Sequence, residues 1–334
     1  MSSTEEIDIV IPWVDGSDPE WQAERDLYAT ESDKRDAGKA SDQRYRSWDN
    51  LQYVFRGIEE FAPWVRTVHF ITWGHLPEWL DTSNSKLHIV KHKDYIPSSY
   101  LPTFSSHTIE LNMHRIEGLA QHFIYFNDDM FLLKPTVPED FFMDGLPCDS
   151  AAMNAVSIPP YSTMCPPLYN AQVINRHFAK KQILKGNGTK WYSLKYPSFS
   201  VRTLLLRPWP RVTGFGEPHV PIGYDKRTLE TLWEVEYDVL DKTCSHKFRE
   251  ATDVNQWLFR DWQLASGQFH PRKASFGKRF NEPVTQAIVD HIVSQKSTLL
   301  CVNDDATPET FEKEKALLIA AFDKILPNKS SFEL

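Results

Sequence analysis

Paired acidic residues follow three runs whose composition is typical of buried strands. The pairs are Asp15 and Asp18, Asp128 and Asp129, and Asp304 and Asp305. In open α/β sheets, ligands bind beyond the carboxyl ends of the strands, so we expect the three pairs to meet at one edge of one sheet. Clustered carboxylates raise each other's pKa unless a cation neutralises them, and hard oxygen ligands suit Mg²⁺ or Mn²⁺. The pattern predicts a metal-dependent site for a phosphate ester such as a nucleotide sugar.

The alternative is that these Asp and Asn residues only form turns and cap helices after strands. The triplet Asn127-Asp128-Asp129 argues most strongly against it, because it directly follows the strand-like run 122–126. We therefore predict an enzyme whose active site is built around this triplet, at the mouth of a mostly parallel α/β sheet.

A Glu and a His stand just before that central strand. Glu110 and His114 are four residues apart in a stretch with helical periodicity, so one helix face would carry both, with Arg115 alongside. An exposed ladder of ion pairs is the alternative. The spacing is compatible with either a site or a surface.

Two further segments carry imidazole or guanidinium groups. His219 lies between Pro218 and Pro221, and we expect the prolines to hold the backbone extended and to present the imidazole rigidly into a cleft. The alternative is a structural histidine. His246 and Arg249 belong to the most cationic short segment of the second half, where an arginine can clamp a phosphate with two hydrogen bonds. A solvated basic turn is the alternative there.

The elements that must position these residues follow from periodicity. Strands are predicted at 7–14, 68–73, 87–90, 122–126 and 298–302, and helices at 47–61, 105–119, 223–240, 253–265 and 308–326. Ser47 is the predicted cap of the first of these helices. Alternating strands and helices predict a mostly parallel, Rossmann-like (GT-A-like) sheet with helices on both faces.

We interpret residues 1–334 as a single catalytic domain. Residues 1–146 form its first α/β half, 147–218 an irregular inserted region on the acceptor side, and 219–334 the second catalytic half with a closing helix. The charged stretch 20–43 is interpreted as a surface helix or a mobile lid.

Composition limits the function classes. A net charge of −8 argues against a general nucleic-acid binder, which usually has a basic face. The four cysteines form no metal or disulfide pattern, and buried free thiols in a reducing compartment are expected. No signal peptide or long apolar run is present, so we expect a cytoplasmic protein, with peripheral contact at the inner membrane face left open.

Taken together, the motifs resemble the Stealth family of sugar-phosphate transferases. That family includes bacterial capsular and exopolysaccharide phosphotransferases and is related to GlcNAc-1-phosphotransferase. Four blocks in family order carry the resemblance. They are residues 7–19, residues 44–129 from Arg44 to the triplet, residues 219–253 from His219-Val220-Pro221 to Asp253, and residues 301–304 with the helix after them.

The resemblance implies that a UDP-sugar gives its sugar-1-phosphate to a hydroxyl of an acceptor glycan, which is free or lipid-linked, with release of UMP. The residues implied to be catalytic are Glu110, Asn127, Asp129, His219 and Arg249. Those assigned to substrate binding are Asp15, Gly16, Ser17, Arg44, Arg115 and His246. The metal ligands, for Mg²⁺ or Mn²⁺, are Asp128, Asp129 and Asp304.

Two mechanisms are open for the histidine. His219 acts either as a general base toward the acceptor hydroxyl or as a nucleophile that forms a covalent phospho-histidine. Two rival functions are a metal-dependent glycosyltransferase, which would release UDP, and an inactive sugar-binding protein. The filled acidic, His and Arg positions argue against the second rival.

Overall fold

The computed structural model describes residues 6–30, 47–157 and 165–334. The strands in these ranges are β1 Ile7–Pro12, β2 Val68–Thr72, β3 Leu87–Lys91, β4 His122–Tyr125, β5 Met130–Leu132, β6 Phe142–Met143, β7 Leu146–Asp149, β8 Ile222–Asp225, β9 His270–Pro271, β10 Gly277–Phe280 and β11 Leu299–Val302.

The α-helices within the same ranges occur in all parts of the chain. They are α1 Pro19–Tyr28, α2 Leu51–Phe61, α3 His92–Tyr95, α4 Ser106–Leu111, α5 Pro166–His177, α6 Lys180–Gly186, α7 Gly188–Trp191, α8 Pro197–Leu205, α9 Lys226–Val235, α10 Tyr237–Ser245, α11 Trp257–Ser266, α12 Gln286–Val293 and α13 Phe311–Ile325.

The central sheet has the strand order β3-β2-β1-β4-β8. Strands β1 to β4 are mutually parallel, and β8 runs antiparallel to β4 at one edge. The expected mostly parallel, Rossmann-like sheet is therefore confirmed. Because β1 and β4 are parallel neighbours, the loops that follow them leave from the same edge, which places the Asp15 loop beside the triplet.

Strands β1 to β4 each contribute side chains to two apolar cores, and β8 contributes to one of them. In β1, Ile7, Ile9 and Ile11 face one core, whereas Val10 faces the other. This alternation is what a strand with period two produces when helices cover both faces. The first core contains α2 and α13, and the second contains α9 and α11.

The late strand 298–302 is confirmed but does not join the central sheet. It forms β11 of a small second sheet, between β10 and β5. Strand β5 begins at Met130, directly after the triplet, and pairs antiparallel with β11 in the register Cys301 to Met130. The expectation that all three acidic pairs end strands of one sheet is therefore wrong, although β11 still ends beside the triplet.

Several predicted elements differ in detail. The inserted region is helical, with α5 to α8, rather than irregular. The stretch 223–240 begins in the edge strand β8, and a helix follows only from Lys226. The helix after Ser47 begins at Leu51, and the Ser47 hydroxyl donates to Asp49 instead of capping it. Residues 31–43 of the predicted lid lie outside the described ranges.

The predicted continuous helix 105–119 is also wrong. Helix α4 ends at Leu111, and a 3-10 turn follows at Met113–Arg115. The Asn112 side chain donates to the Thr108 carbonyl and so competes with the backbone at this point. Glu110 and His114 therefore do not share a helix face.

The inserted region is fixed to the body by a buried ion pair. Arg260 of α11 is fully buried and donates to Asp149 Oδ2 at 2.6 Å and to Oδ1 at 3.2 Å. Its remaining donors reach the carbonyls of Ser150 and Gly216, which bracket the insert. All four cysteines are free, and three of them are buried. Among the described residues, no helix has the length and apolar character needed to cross a membrane.

Candidate active site

The triplet Asn127-Asp128-Asp129 forms the turn between β4 of the central sheet and β5 of the second sheet. The Met130 amide closes this turn by donating to the Asn127 carbonyl at 3.2 Å. Asp128 is exposed to solvent, whereas Asn127 and Asp129 are half-buried. The three side chains thus lie at the carboxyl end of the central strand, as a ligand site of an α/β sheet requires.

Asp129 is a carboxylate that the described protein satisfies only in part. Its Oδ2 accepts from Cys301 Sγ at 3.3 Å, and from the Asn303 amide nitrogen at 3.1 Å when that amide is turned to match its neighbours. Its Oδ1 is buried and has no hydrogen-bond partner within the described residues. Burial, followed by repulsion from Asp128, raises the pKa of Asp129 to about 7.

His219 also contacts Cys301. Its Nδ1 is 3.4 Å from Cys301 Sγ, and its ring packs against Trp257. Burial, with a smaller contribution from the charge of Arg279, lowers the pKa of His219 to about 4. The imidazole is therefore neutral near pH 7 and is able to accept a proton, bind a metal or attack an electrophile.

The expectation of an extended backbone at His219 is wrong. Its φ is +47°, in the left-handed region. A proline restricts only the residue directly before it, so Pro218 and Pro221 constrain Glu217 and Val220 and leave His219 free to turn. The turn directs the ring toward Cys301 and Asp129.

Asp129, His219 and Cys301 together form a plausible cation site. One ligand atom from each lies within 4.8 Å of the others. The partnerless Asp129 Oδ1 supports this fit, because a buried carboxylate oxygen needs a hydrogen bond or a cation. A thiol and an imidazole are softer ligands than Mg²⁺ prefers, so this set differs from the predicted carboxylate set.

The other predicted metal ligands lie differently. Asp304 Oδ1 accepts from the Ala306 amide at 3.2 Å in a turn after β11, and Asp128 points to solvent. Two residues before Asp304, the Val302 amide donates to the Asp129 carbonyl at 3.2 Å, so the loop carrying Asp304 starts beside the triplet.

A second group of predicted residues converges on Tyr125 at the end of β4. The Tyr125 hydroxyl lies 3.0 Å from Glu110 Oε1 and also contacts Asn127 Oδ1. Burial raises the pKa of Glu110, against the opposing charges of His107 and Arg249. Glu110 thus approaches the triplet through a tyrosine rather than directly.

Arg249 belongs to the same group. Its Nη2 donates to Ser106 Oγ at 2.6 Å, one turn before Glu110 on α4, and its side chain is exposed. The buried carboxylate of Asp253 holds this loop, because it accepts from the Glu250 amide at 2.8 Å and contacts His246 Nδ1 at 2.7 Å. His246 is therefore engaged with Asp253.

The first acidic pair shapes the loop after β1. Asp15 Oδ1 accepts from the backbone and hydroxyl of exposed Ser17, and the Asp15 amide donates to His75 Nε2 at 2.6 Å. Asp18 caps α1 by accepting from the Trp21 amide at 2.8 Å. The side chains of Asp15 and Asp18 therefore form a turn and cap a helix, as the alternative interpretation predicted. Gly16 is buried within this turn.

A cleft of about 690 Å³ opens next to this loop. Its walls include acidic, aromatic and basic side chains, among them Asp18, Glu24, Trp73, His75, Lys91 and Lys93. The Trp73 indole is fixed by a hydrogen bond to Glu24 at 2.7 Å and packs against His75. The cleft thus combines flat rings with two lysines at the edge where ligands are expected.

Two predicted substrate-binding arginines are not in these groups. Arg115 stacks on Trp233, with its guanidinium carbon 4.9 Å from the ring centre, and donates to Asn112. Arg44 lies outside the described residues.

Known proteins resemble this chain over its whole length. It is 38% identical over 338 residues to the capsular polysaccharide phosphotransferase WcwK of Streptococcus pneumoniae, covering 100% of this chain and 99% of that protein. The chain belongs to the Stealth family. Stealth conserved region 1 matches residues 5–33, and conserved region 2 matches residues 44–148, which contain Glu110 and the triplet.

Other relatives of this Stealth protein have similar names. The exopolysaccharide phosphotransferase cps2G of Lactiplantibacillus plantarum is 38% identical, with 98% of this chain and 96% of that protein covered. The receptor polysaccharide phosphotransferase WefC of Streptococcus gordonii is also 38% identical, with 99% of each covered. The Stealth protein is accordingly an enzyme, a phosphotransferase.

Solved structures give weaker likenesses. The galactosyltransferase LgtC, in complex with donor and acceptor sugar analogs, shares 8% identity and a TM-score of 0.38 over 92% of this chain and 95% of that one. The glycosyltransferase GlyE of Streptococcus pneumoniae TIGR4 shares 10% identity and a TM-score of 0.40, with 99% of this chain and 65% of that chain covered. At these scores neither likeness supports a conclusion about activity.

Sequence reasoning missed several residues of this Stealth site. Cys301 sits in an apolar strand, and Tyr125 in another, so each reads as core. The charge of Arg279 acts on Asp129, His219 and Glu217, and burial raises the pKa of Glu217 to about 7. The sequence offered only the positions of these residues as a sign of function: Cys301 opens the fourth family block, and Glu217 lies two residues before His219.

Proposed function

We propose that this Stealth enzyme transfers sugar-1-phosphate from a UDP-sugar to a hydroxyl of an acceptor glycan, in capsule or exopolysaccharide synthesis. The observation that carries the proposal is the placement of neutral His219 beside Asp129, with Cys301 between them, at the end of the central strand. The printed names of the relatives, which are phosphotransferases acting on capsular, exo- and receptor polysaccharides, support the polymer class.

The nucleotide half of the donor is assigned to the cleft beside Asp15, Gly16 and Ser17. Trp73 and His75 offer ring faces to a uracil base, and Lys91 and Lys93 supply positive charge near a diphosphate. The lining of the cleft does not include the triplet, and in this proposal the diphosphate reaches from the cleft toward it, since β1 and β4 are neighbouring parallel strands.

A divalent cation is part of the proposal. Asp129 and Cys301 would hold it, with Asp128 and Asp304 as the carboxylates nearest in sequence and topology, and His219 stays free because an imidazole bound to the ion cannot also take the acceptor proton. When bound, such an ion would offset the charge that builds up on the diphosphate. We retain Mg²⁺ or Mn²⁺ as the expected ions, because phosphate esters usually bring them to a site.

In the proposed reaction the acceptor oxygen forms a bond to the sugar-side phosphorus while the bond from that phosphorus to the UMP oxygen breaks. The hydroxyl proton passes to His219, whose lowered pKa keeps it unprotonated beforehand. Arg249 would neutralise a phosphate oxygen, and Asn127, held through Tyr125 by Glu110, would orient the phosphate or the sugar. The products are a phosphodiester and UMP.

The leaving nucleotide tests this proposal. Purified enzyme is incubated with a panel of UDP-sugars and an acceptor glycan, with and without Mg²⁺, and nucleotides are separated by ion-exchange chromatography. Acceptor-dependent release of UMP is the expected result. Release of UDP would overturn phosphotransfer in favour of the rival glycosyltransferase reaction.

The role of His219 requires its own experiment. A donor labelled in the sugar-side phosphate is mixed with the enzyme without acceptor and quenched in alkali, in which phospho-histidine survives. We expect no label on the protein if His219 is a general base. Label that is retained by the wild type and lost in His219→Ala would show the covalent mechanism instead.

The proposal also places the enzyme in the cytoplasm, peripheral to the inner face of the membrane, where a lipid-linked acceptor glycan would be within reach. UDP-sugars are made in the cytoplasm, which favours that compartment for the donor. Fractionation of cells that produce the enzyme, followed by a salt wash of the membrane fraction, would test the location.

A further inference from the structure

The inserted region has a charge balance opposite to that of the whole protein. Residues 150–216 contain nine Lys and Arg and no Asp or Glu. The whole chain has 37 basic and 45 acidic residues, for a net charge of −8. This segment of the Stealth protein is therefore net positive because it lacks acids, and the rest of the chain, with 28 basic and 45 acidic residues, is strongly acidic.

Seven of the nine cationic side chains are exposed, and five of these make neither a hydrogen bond nor an ion pair through their side chains with the described residues. They are Lys181, Lys185, Arg202, Arg207 and Arg211. The others are engaged in holding the segment together. Lys180 donates to carbonyls at the end of α8, Lys190 and Lys195 donate to the carbonyls of Gly267 and Pro271, and Arg176 pairs with Glu236.

Apolar side chains are exposed in the same segment. They are Leu194 at 93% exposure, Leu205 at 69%, Val201 at 55%, Trp209 at 52% and Leu204 at 51%. Single exposed apolar residues are ordinary, but five within sixteen residues form a patch, which commonly marks an interaction site.

Helix α8 explains why these side chains share a face. Thr203 points inward, is fully buried, and accepts from the Met153 amide at 3.0 Å. Residues two positions away on a helix point about 200° around the axis, so Val201 and Leu205 must face outward when Thr203 faces inward. The helix is amphipathic, with its apolar side toward solvent.

The exposed cations border this face. Lys180, at the start of α6, donates to the Trp209 carbonyl at 2.6 Å, which fixes α6 against the end of α8. Lys181 and Lys185 lie one turn apart on α6, and Arg207 and Arg211 follow α8 directly. We call the set formed by Lys181, Lys185, Leu194, Val201, Leu204, Leu205, Arg207, Trp209 and Arg211 the α8 surface.

We infer that the α8 surface docks this Stealth enzyme on an anionic lipid bilayer. Exposed leucines with a tryptophan enter the headgroup region of a bilayer, while lysines and arginines without neighbouring acids bind anionic headgroups. A soluble polyanion would be bound by the cations alone and gives no reason for the exposed leucines. The rest of the protein is acidic and would be repelled by such a membrane, so the orientation on it is defined.

This inference deepens the proposed function by naming the surface that would contact the membrane, but it does not need the proposed reaction. The test is co-sedimentation of the full chain with vesicles of phosphatidylcholine, with or without about 30% phosphatidylglycerol. We expect binding to the anionic vesicles only, weakened by salt at about 0.5 M. Binding is measured without donor or acceptor, so failure of docking and failure of catalysis are distinguishable.

Two pairs of substitutions separate the two components. Arg207→Glu with Arg211→Glu, and Leu194→Ser with Leu205→Ser, are each expected to lower vesicle affinity about tenfold or more. Matched controls make the same changes elsewhere, with Lys313→Glu and Lys324→Glu on α13, and Val137→Ser with Val235→Ser. The controls should retain binding. The thermal unfolding midpoint of each variant shows that the fold is kept.

Three results would overturn the inference. The first is no binding of the wild type to anionic vesicles. The second is self-association in analytical ultracentrifugation that the α8-surface substitutions abolish while vesicle binding is absent, which would make the surface a contact between two copies. The third is binding to a soluble polyanion such as heparin that competes fully with vesicles and is insensitive to the two Leu→Ser changes.

Discussion

The Tyr125 hydroxyl lies 3.0 Å from Glu110 Oε1, and both side chains are buried beneath the triplet. A phenol has one proton to donate, yet this oxygen also contacts the Asn127 amide. If Glu110 is protonated, as burial favours, it can donate to the phenol and the phenol can donate to Asn127 Oδ1. The Asn127 nitrogen is then turned toward the site as a donor for a phosphate or sugar oxygen.

Tyr125→Phe tests this chain of hydrogen bonds. Loss of one buried hydrogen bond is worth about 1 kcal/mol, so we expect kcat to fall about fivefold to tenfold with little change in KM for the donor. Tyr224→Phe, which removes another buried hydroxyl on the neighbouring strand, is the control and should leave kcat nearly unchanged. Equal losses in both variants would mean that Tyr125 has only a packing role.

Glu110 predicts a pH dependence of stability. Burial raises its pKa above the ordinary value of 4.5, so the neutral form is favoured in the native state. This stabilisation is complete below pH 4.5 and is lost as pH rises through the native pKa. Glu110→Gln cannot ionise, so its free energy of unfolding, measured in urea, should rise relative to the wild type as pH increases above 4.5.

Ile109→Val, beside Glu110 on α4, is the control for that experiment. It removes a buried methylene and should lower the free energy of unfolding by about 1 kcal/mol at every pH. A constant offset for Glu110→Gln as well would contradict the assignment of a shifted carboxyl.

Asp129 is expected to be indispensable for turnover. Asp129→Ala should lower kcat by at least about 10³-fold while the thermal unfolding midpoint stays within a few degrees, because its Oδ1 makes no described hydrogen bond. Exposed Asp305, at the end of β11, provides the control Asp305→Ala. An unchanged rate for Asp129→Ala would remove this residue from the site.

Cys301 distinguishes two ways of holding a cation. If Asp129, His219 and Cys301 form the site, Cys301→Ala should weaken Cd²⁺ binding about tenfold or more, because thiolates favour soft ions. Mn²⁺ binding, followed by electron paramagnetic resonance, should change less. Cys244→Ala removes a different buried thiol and serves as the control. Loss of Mn²⁺ binding in Asp304→Ala but not in Cys301→Ala would favour the carboxylate set.

The buried pair of Arg260 and Asp149 is expected to hold the inserted region on the body. Arg260→Met leaves Asp149 buried without its partner and should cost about 3–5 kcal/mol of unfolding free energy. The pair of exposed Arg227 and half-buried Asp225 provides the comparison, since Arg227→Met removes a solvent-exposed partner and should cost less than about 1 kcal/mol. Similar losses, measured by denaturant unfolding, would contradict a buried structural role for Arg260.

Local sequence patterns were sufficient for part of this description. The strands around 7–12, 68–72, 87–91 and 122–125, and the closing helix, were predicted because hydrophobic periodicity is a property of short windows. The prediction of an irregular insert was wrong because it also relied on short windows of sequence. Its proline and aromatic residues look irregular locally, whereas the helices there are fixed by distant partners such as Asp149 and Arg260.

The sequence by itself determined the family, the strand that leads to Asn127-Asp128-Asp129, and the absence of acidic residues from 150–216. Only the tertiary structure decided that Cys301, 172 residues from Asp129 and 82 from His219, lies between them. It also decided that the apolar side of α8 faces solvent. Both outcomes depend on how strands and helices pack across long separations, which no local pattern of residues encodes.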